Sequence, residues 1–188
     1  MNTPLNVELR RVICDPRLYK DSFPFRAELW LDGVQYGIVE NDNNGGTPLF
    51  RDSKGAMMLR EYAKTLPKIR NVYEGYVSEY PASADTIVSD LLTEWIVTQD
   101  IKKDMKRNWV YTLKGNDCDV YKTSQATIIT SQMLRLRFKD EVEHILNLME
   151  PKDAAKLMIA YENRKMAKKA EEPLAAVDKK RTKRNSKA

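Results

Sequence analysis

The chain has 188 residues, 42% of them hydrophobic and 31% charged, with 32 Lys and Arg against 27 Asp and Glu for a net charge of +5. Such a balance suits a folded chain and excludes a collagen or a wholly disordered polymer. Its two cysteines cannot make a disulfide framework or a zinc-ligand set, so no metal or other cofactor is expected. The longest purely apolar stretches, such as Trp95-Ile96-Val97, are too short to span a bilayer, and Met1 to Arg11 has no apolar core of signal-peptide length. The expected setting is therefore cytoplasmic, without a membrane.

Leu5, Val7 and Leu9 alternate with polar neighbours, the period of a half-buried strand, and Asp15-Pro16 then interrupts regular structure. Phe25, Ala27, Leu29 and Leu31 share one face of an alternating run, opposite Arg26, Glu28 and Trp30. Asp32-Gly33 supplies a tight turn, because both residues tolerate positive φ, and Val34, Tyr36 and Ile38 resume the alternation. A β-hairpin is predicted here, followed by the polar loop Asn41-Asp42-Asn43-Asn44-Gly45-Gly46.

Asp52 or Ser53 can cap a helix whose apolar stripe is Met58, Tyr62 and Leu66, closed by Pro67. A longer helix is predicted from Ser83 or Asp85, with Ala84, Val88, Leu91, Leu92, Trp95 and Ile96 on one stripe. Ile101 and Met105 continue it in a shifted register. Asn108 to Leu113 and Cys118 to Thr123 read as a second hairpin around Lys114-Gly115-Asn116-Asp117. Two patterns compete next. Leu134, Leu136 and Phe138 alternate like a strand, whereas Leu134, Phe138, Val142, Ile145 and Met149 fit one helix face. A helix bent or interrupted near Lys139-Asp140 is expected. A last helix is predicted from Pro151, where a missing N–H costs nothing, with Ala154, Met158 and Tyr161 on one side.

Together these elements predict an α+β fold: an antiparallel N-terminal β-meander plus a second hairpin, packed by four to five helices. Strands and helices do not alternate as βαβ units require, which argues against a doubly wound parallel sheet. One domain over residues 1–170 and a disordered basic tail over 171–188 are expected.

The charge is unevenly placed. Residues 1–150 hold 20 basic and 22 acidic groups, whereas residues 151–188 hold 12 basic and 5 acidic ones. Lys179, Lys180, Arg181, Lys183, Arg184 and Lys187 follow one another with no acid between them. Cations clustered at a chain end can neutralise phosphates without a shaped surface, though they can equally be a solubilising terminus. Lys102, Lys103, Lys106 and Arg107, followed by Trp109 and Tyr111, form a second candidate patch that could grip a backbone and stack on bases. The structural alternative is that these cations complement a helix C-terminus while the aromatics pack the core.

Other chemistry is weakly represented. The loop at 41–46 lacks the spacing of a phosphate-binding P-loop or of a calcium loop. Asp52-Ser53-Lys54 has the form of a nuclease carboxylate–lysine pair but reads more simply as a helix cap. His144 is the sole imidazole and falls toward solvent, and neither Cys14 nor Cys118 carries a visible activating neighbour.

The run Phe25-Arg26-Ala27-Glu28-Leu29-Trp30-Leu31-Asp32-Gly33, with Gly37, Asn41-Asp42 and Gly45-Gly46, resembles a hairpin of small phage and prophage proteins of uncharacterised function. Tyr111-Thr112-Leu113-Lys114-Gly115 and Ile145-Leu146-Asn147 are similar to later segments of that pattern. The chain departs from it at Asn43-Asn44. The resemblance implies a setting, an accessory protein in the host cytoplasm, and transfers no site residue.

The leading functional expectation is a non-enzymatic accessory protein that binds nucleic acid, or a host or phage complex handling it. Lys179, Lys180, Arg181, Lys183 and Arg184 would contact phosphates, with Lys102, Lys103, Lys106 and Arg107 as a second patch. The alternatives are a protein-only inhibitor docking through Trp30, Tyr36, Asn43 and Asn44, and a metal-dependent phosphoryl-transfer enzyme with Asp42 and Asp52 as ligands.

Overall fold

The computed structural model describes residues 4–14, 24–42, 47–73, 76–116 and 118–185, with side chains for all of these except 71–73, 76–77 and 170–185. The fold is α+β, as the sequence predicts, and the chain divides into two compact units. The first comprises residues 1–70 and 79–93, the second 71–78 and 94–188.

The first unit is built on a four-stranded antiparallel meander, β1 (Val7–Cys14), β2 (Phe25–Leu31), β3 (Val34–Asn41) and β4 (Leu49–Phe50), in that spatial order. The predicted face of β2 is buried, with Ala27, Leu29 and Leu31 at most 2% exposed. Asp32 (φ 48°) and Gly33 (φ 79°) are both left-handed, the geometry a two-residue hairpin requires. Asn6 anchors the turn: its N–H donates to the Asp32 carboxylate, and the Asp32 N–H donates to the Asn6 carbonyl, both at 2.8 Å.

β3 departs from the expected alternation. Trp30 pairs with Gln35 but Glu28 with Ile38, so one extra residue enters β3 near Gly37, whose φ is +83°. A bulge of this kind reverses which residues face inward. Val39, opposite Ala27, is therefore the fully buried residue, and Ile38 is not.

Helix α1 (Ser53–Ala63) lies on this irregularity. Asp52 caps it by accepting from the Gly55 N–H at 2.9 Å. Its buried face is Gly55, Ala56, Leu59 and Ala63. The expected stripe of Met58, Tyr62 and Leu66 is only half-buried, because glycine and alanine let the helix approach the sheet along a different line.

Next come β5 (Ile69–Tyr73) and β6 (Tyr76–Tyr80), a two-stranded sheet absent from the sequence reading. Helix α2 (Ala84–Met105) opens with a reciprocal cap. The Thr86 N–H donates to Ser83 Oγ at 3.1 Å, and the Ser83 N–H to Thr86 Oγ1 at 2.9 Å. Ala84, Val88 and Leu92 are buried in its first half, Thr98 and Ile101 in its second. The expected shift of register falls where the first unit gives way to the second.

The second unit holds a three-stranded sheet ordered β8 (Tyr121–Ser124), β7 (Asn108–Leu113), β9 (Val142–Ile145), with all pairs antiparallel. The helix is interrupted near Lys139-Asp140 as expected but does not resume: α3 covers only Ser131–Arg137, and β9, a strand, follows it in place of the expected helix. Lys139 (φ 49°) and Asp140 (φ 60°) are both left-handed. The Lys139 N–H reaches the Leu136 carbonyl and the Asp140 N–H the Arg135 carbonyl, which is a Schellman stop made without glycine.

One side of β7 packs Tyr111 with Ile128, Leu134, Val142 and Ile145. The other packs Val110 with Ile101, Leu146 and Ala154. A 3-10 turn at Leu146–Leu148 leads into α4 (Pro151–Asn185), which begins at the predicted proline. No helix among the described residues is long and apolar enough to cross a membrane.

Candidate nucleic-acid interface

The first turns of α4 are fixed to the second unit. Ala154 and Ala155 are fully buried, Tyr161 is 3% exposed, and Leu157 and Met158 pack beside them. Beyond Tyr161 the composition inverts. Arg164, Lys168 and Lys169 are exposed and Lys165 is half-buried, with no acid between 163 and 169. The Arg164 guanidinium lies 4.6 Å above the Tyr161 ring, and its Nε donates to the Ala160 carbonyl.

Lys165 is the tether. Its Nζ stands 2.9 Å from the Asp119 carboxylate, on the loop between β7 and β8. Asn116 donates to that carboxylate at 3.2 Å and to the Tyr121 hydroxyl at 2.7 Å. The Lys165 and Asn116 hydrogen bonds hold the Asp119 carboxyl below its ordinary range, while the hydrogen bond and charge of Asp119 raise the Lys165 ammonium. The backbone of α4 continues through Asn185, across the boundary expected near residue 171. Pro173 falls inside it and deprives the helix of one backbone donor. The side chains of Lys179, Lys180, Arg181, Lys183 and Arg184 lie outside those described.

The second patch is at the end of α2 and the turn after it. Lys102, Lys103, Lys106 and Arg107 are all exposed. Lys103 pairs with Asp100 at 3.0 Å, a surface contact worth well under about 1 kcal/mol. Nearby, Lys122 of β8 holds Asp104 at 2.5 Å. Trp109 and Tyr111, the aromatics of this patch, turn inward. The Trp109 indole donates to the Ile128 carbonyl at 2.6 Å, and Tyr111 stacks on Tyr121 and leans against Phe138. What remains for a ligand is a group of cations without a stacking platform.

Trp30, Tyr36 and Asp52, from the alternative readings, are engaged elsewhere. Trp30 donates to Glu28 at 3.1 Å and carries the Arg10 guanidinium 4.1 Å above its ring. Around it the outer face of the meander is a ladder of exposed ion pairs, Arg10–Glu8, Arg11–Glu28, Arg26–Glu40 and Arg51–Glu40. Tyr36 packs against Gly55 with Lys54 above its ring, and Asn43 and Asn44 lie outside the described residues. Asp52 serves as the α1 cap, and no group of three His, Cys, Asp or Glu among the described residues could hold a metal ion. His144 is on β9, exposed and 3.9 Å from Glu143.

Sequence reasoning located both cation groups from counts alone but missed the Asp119–Lys165 tether. The two residues are far apart in the chain, and neither stands out among its neighbours. Comparison with protein-family models, with curated proteins and with solved structures finds no match.

Proposed function

We propose that the chain is a non-enzymatic binding protein that holds nucleic acid, or a complex handling nucleic acid, through phosphate contacts from the basic end of α4. The observation carrying this reading is the division of that helix. Its first turns are buried in a core, and its remainder gathers most of the 12 basic groups found between residues 151 and 188. A helix anchored at one end presents its cations without asking the folded core to be positive, and the rest of the chain is slightly acidic. Lys102, Lys103, Lys106 and Arg107 form the secondary contact. An accessory role in a phage-infected host cytoplasm, implied by the N-terminal hairpin, belongs to the same proposal.

Contacts of this kind release counterions and read little sequence. If about four of the cations from Lys179 to Lys187 meet phosphates, log K falls against log salt with a slope of about −3 to −4. A gel-shift series across salt, on the full chain and on one ending at residue 178, is the test. Loss of most binding and most salt dependence on truncation supports the reading. Binding that survives truncation and ignores salt overturns it.

A further inference from the structure

Helix α1 has a second apolar face that the sheet does not use. Met57, Met58, Tyr62 and Leu66, with Pro4 and Leu5, line an open groove of about 910 Å3 beside the helix. Met57 is 63% exposed, and Leu59, two residues on, is fully buried against the sheet side. Covering a methionine removes apolar area from water, so a solvent-facing methionine at the lip of an apolar groove suits a surface that is covered in use.

The charges on this face decide what covers it. Lys54 and Glu61 also line the groove. They are seven residues apart, just under two turns, so they stand in line along the helix about 10 Å apart. Met57 and Met58 straddle the midpoint of that line. A second α1 laid antiparallel across this midpoint meets Met57 with Met58 twice. It also brings each Lys54 to the other copy's Glu61, twice. The pattern is its own complement, which is the requirement of a two-fold interface.

The side-chain rows fit such a partner. Along α1, Lys54, Met58 and Tyr62 form one row spaced by four residues, and Met57 and Glu61 a second, with Thr65 and Leu66 in the turn just past the helix end. Two such rows leave between them the channel in which the same row of another helix packs. Glu61 now bridges to Lys64 at 2.7 Å, with both side chains about 70% exposed, a contact weak enough to exchange. Lys54 touches only the face of Tyr36, at 5.6 Å, among the interactions described for it. Methionine adapts its shape to such contacts more readily than a branched side chain does.

We infer that α1 is a homodimer interface, in which the Met57–Met58 surface of one copy seats on that of a second, antiparallel, with Lys54 paired to Glu61 across the two-fold axis. The inference stands apart from the nucleic-acid reading and shares no residue with it.

Sedimentation velocity of the full chain over a concentration series is the measurement, with circular dichroism on each variant as a control for folding. The expected result is a concentration-dependent monomer–dimer equilibrium that Met57→Glu shifts to monomer. Lys54→Glu alone and Glu61→Lys alone should each weaken the dimer about tenfold, since two attractions become two repulsions. The double variant Lys54→Glu with Glu61→Lys should restore it, because the pairs re-form with signs exchanged. A wild-type chain monomeric up to about 1 mM overturns the inference. So does a dimer that ignores Met57→Glu, or one whose charge-swapped double variant is no stronger than the single ones.

Discussion

Asn147 and Gln125 donate to the same two carbonyls, those of Met105 and Asn108. The Asn147 amide reaches them at 3.2 and 2.9 Å, and the Gln125 amide at 2.9 and 3.3 Å. Met105 closes α2 and Asn108 opens β7, so these amides satisfy the carbonyls left over where a helix turns directly into a strand. Asn147 also accepts the Val110 N–H at 2.8 Å, which engages both ends of its side chain. Gln125 is held in turn by its own N–H on the Arg107 carbonyl at 3.0 Å. The turn that carries Lys106 and Arg107 is thereby fixed from two separate segments.

Asn147→Ala should lower unfolding stability by about 1–3 kcal/mol, because it strands the Val110 N–H and halves the donors to two carbonyls. Gln125→Ala should cost less, since Asn147 still serves both acceptors. The double variant should lose more than the sum of the two, as each amide covers for the other. Urea unfolding of the three variants checks this, and strict additivity would mean that the amides act independently.

Gly55 touches Tyr36 in a way no larger residue can. A Cβ at 55 would lie 2.7 Å from the Tyr36 Cβ and 3.1 Å from its carbonyl oxygen. Alanine normally gains about 1 kcal/mol over glycine within a helix. Gly55→Ala should nevertheless destabilise the protein by about 1–3 kcal/mol, because the clash forces α1 off the sheet. An unchanged or raised urea midpoint would show that the helix can shift at little cost.

The tether between Asp119 and Lys165 titrates from both sides. The Asp119 carboxyl is held below its unfolded value of about 3.9, so its contribution is complete above that value and fades as pH falls through the lower, folded value. The Lys165 ammonium is raised above about 10.4, so its share is complete below that value and is lost as pH rises further. Attachment of α4 to the loop between β7 and β8 should therefore be strongest across the plateau between these limits. Lys165→Met should move the Asp119 carboxyl, followed by NMR, back toward its ordinary range. A carboxyl that stayed low would assign the effect to the Asn116 hydrogen bond and the charge of Lys168.

The elements legible in the sequence are those whose local chemistry admits one answer. Asp32-Gly33 accommodates two left-handed residues, a helix opens directly after Ser83, and Pro151 starts another, and each stands where the sequence expects it. The illegible ones are decided at a distance or by an unusual residue. The Schellman stop at Lys139 lacks the glycine that announces one, so the spacing of Val142 and Ile145 on its far side still fits a helix face. Gly37 was readable as a glycine but not as the bulge that moves burial from Ile38 to Val39. Ile69 to Tyr73 and Tyr76 to Tyr80 are rich in aromatic and β-branched residues, but polar residues break the alternation that marks a strand, so this pair is legible only in the structure. In the candidate site, charge survives as a count, whereas the inward turn of Trp109 depends on the Ile128 carbonyl, supplied from a different segment.

That inward turn separates two kinds of contact at the α2 patch. If nucleic acid meets this patch, it meets Lys102, Lys106 and Arg107 as charges and finds no indole to stack upon. Replacing these three with Gln should make the salt slope shallower by about 1–3, according to how many touch phosphate. The effect should be read in the full chain, where the tail still supplies most of the binding. Trp109→Phe should behave in the opposite way. It breaks the hydrogen bond to Ile128 and so should lower stability by about 1–3 kcal/mol. It should leave affinity within about twofold, whereas losing a stacked base would cost about 1–3 kcal/mol of binding. Fluorescence anisotropy of a labelled oligonucleotide, run beside urea unfolding for each variant, reads both quantities. A Trp109→Phe protein that is fully stable but binds ten times more weakly, about 1.4 kcal/mol, would place the indole in the interface and refute the charge-only reading of this patch.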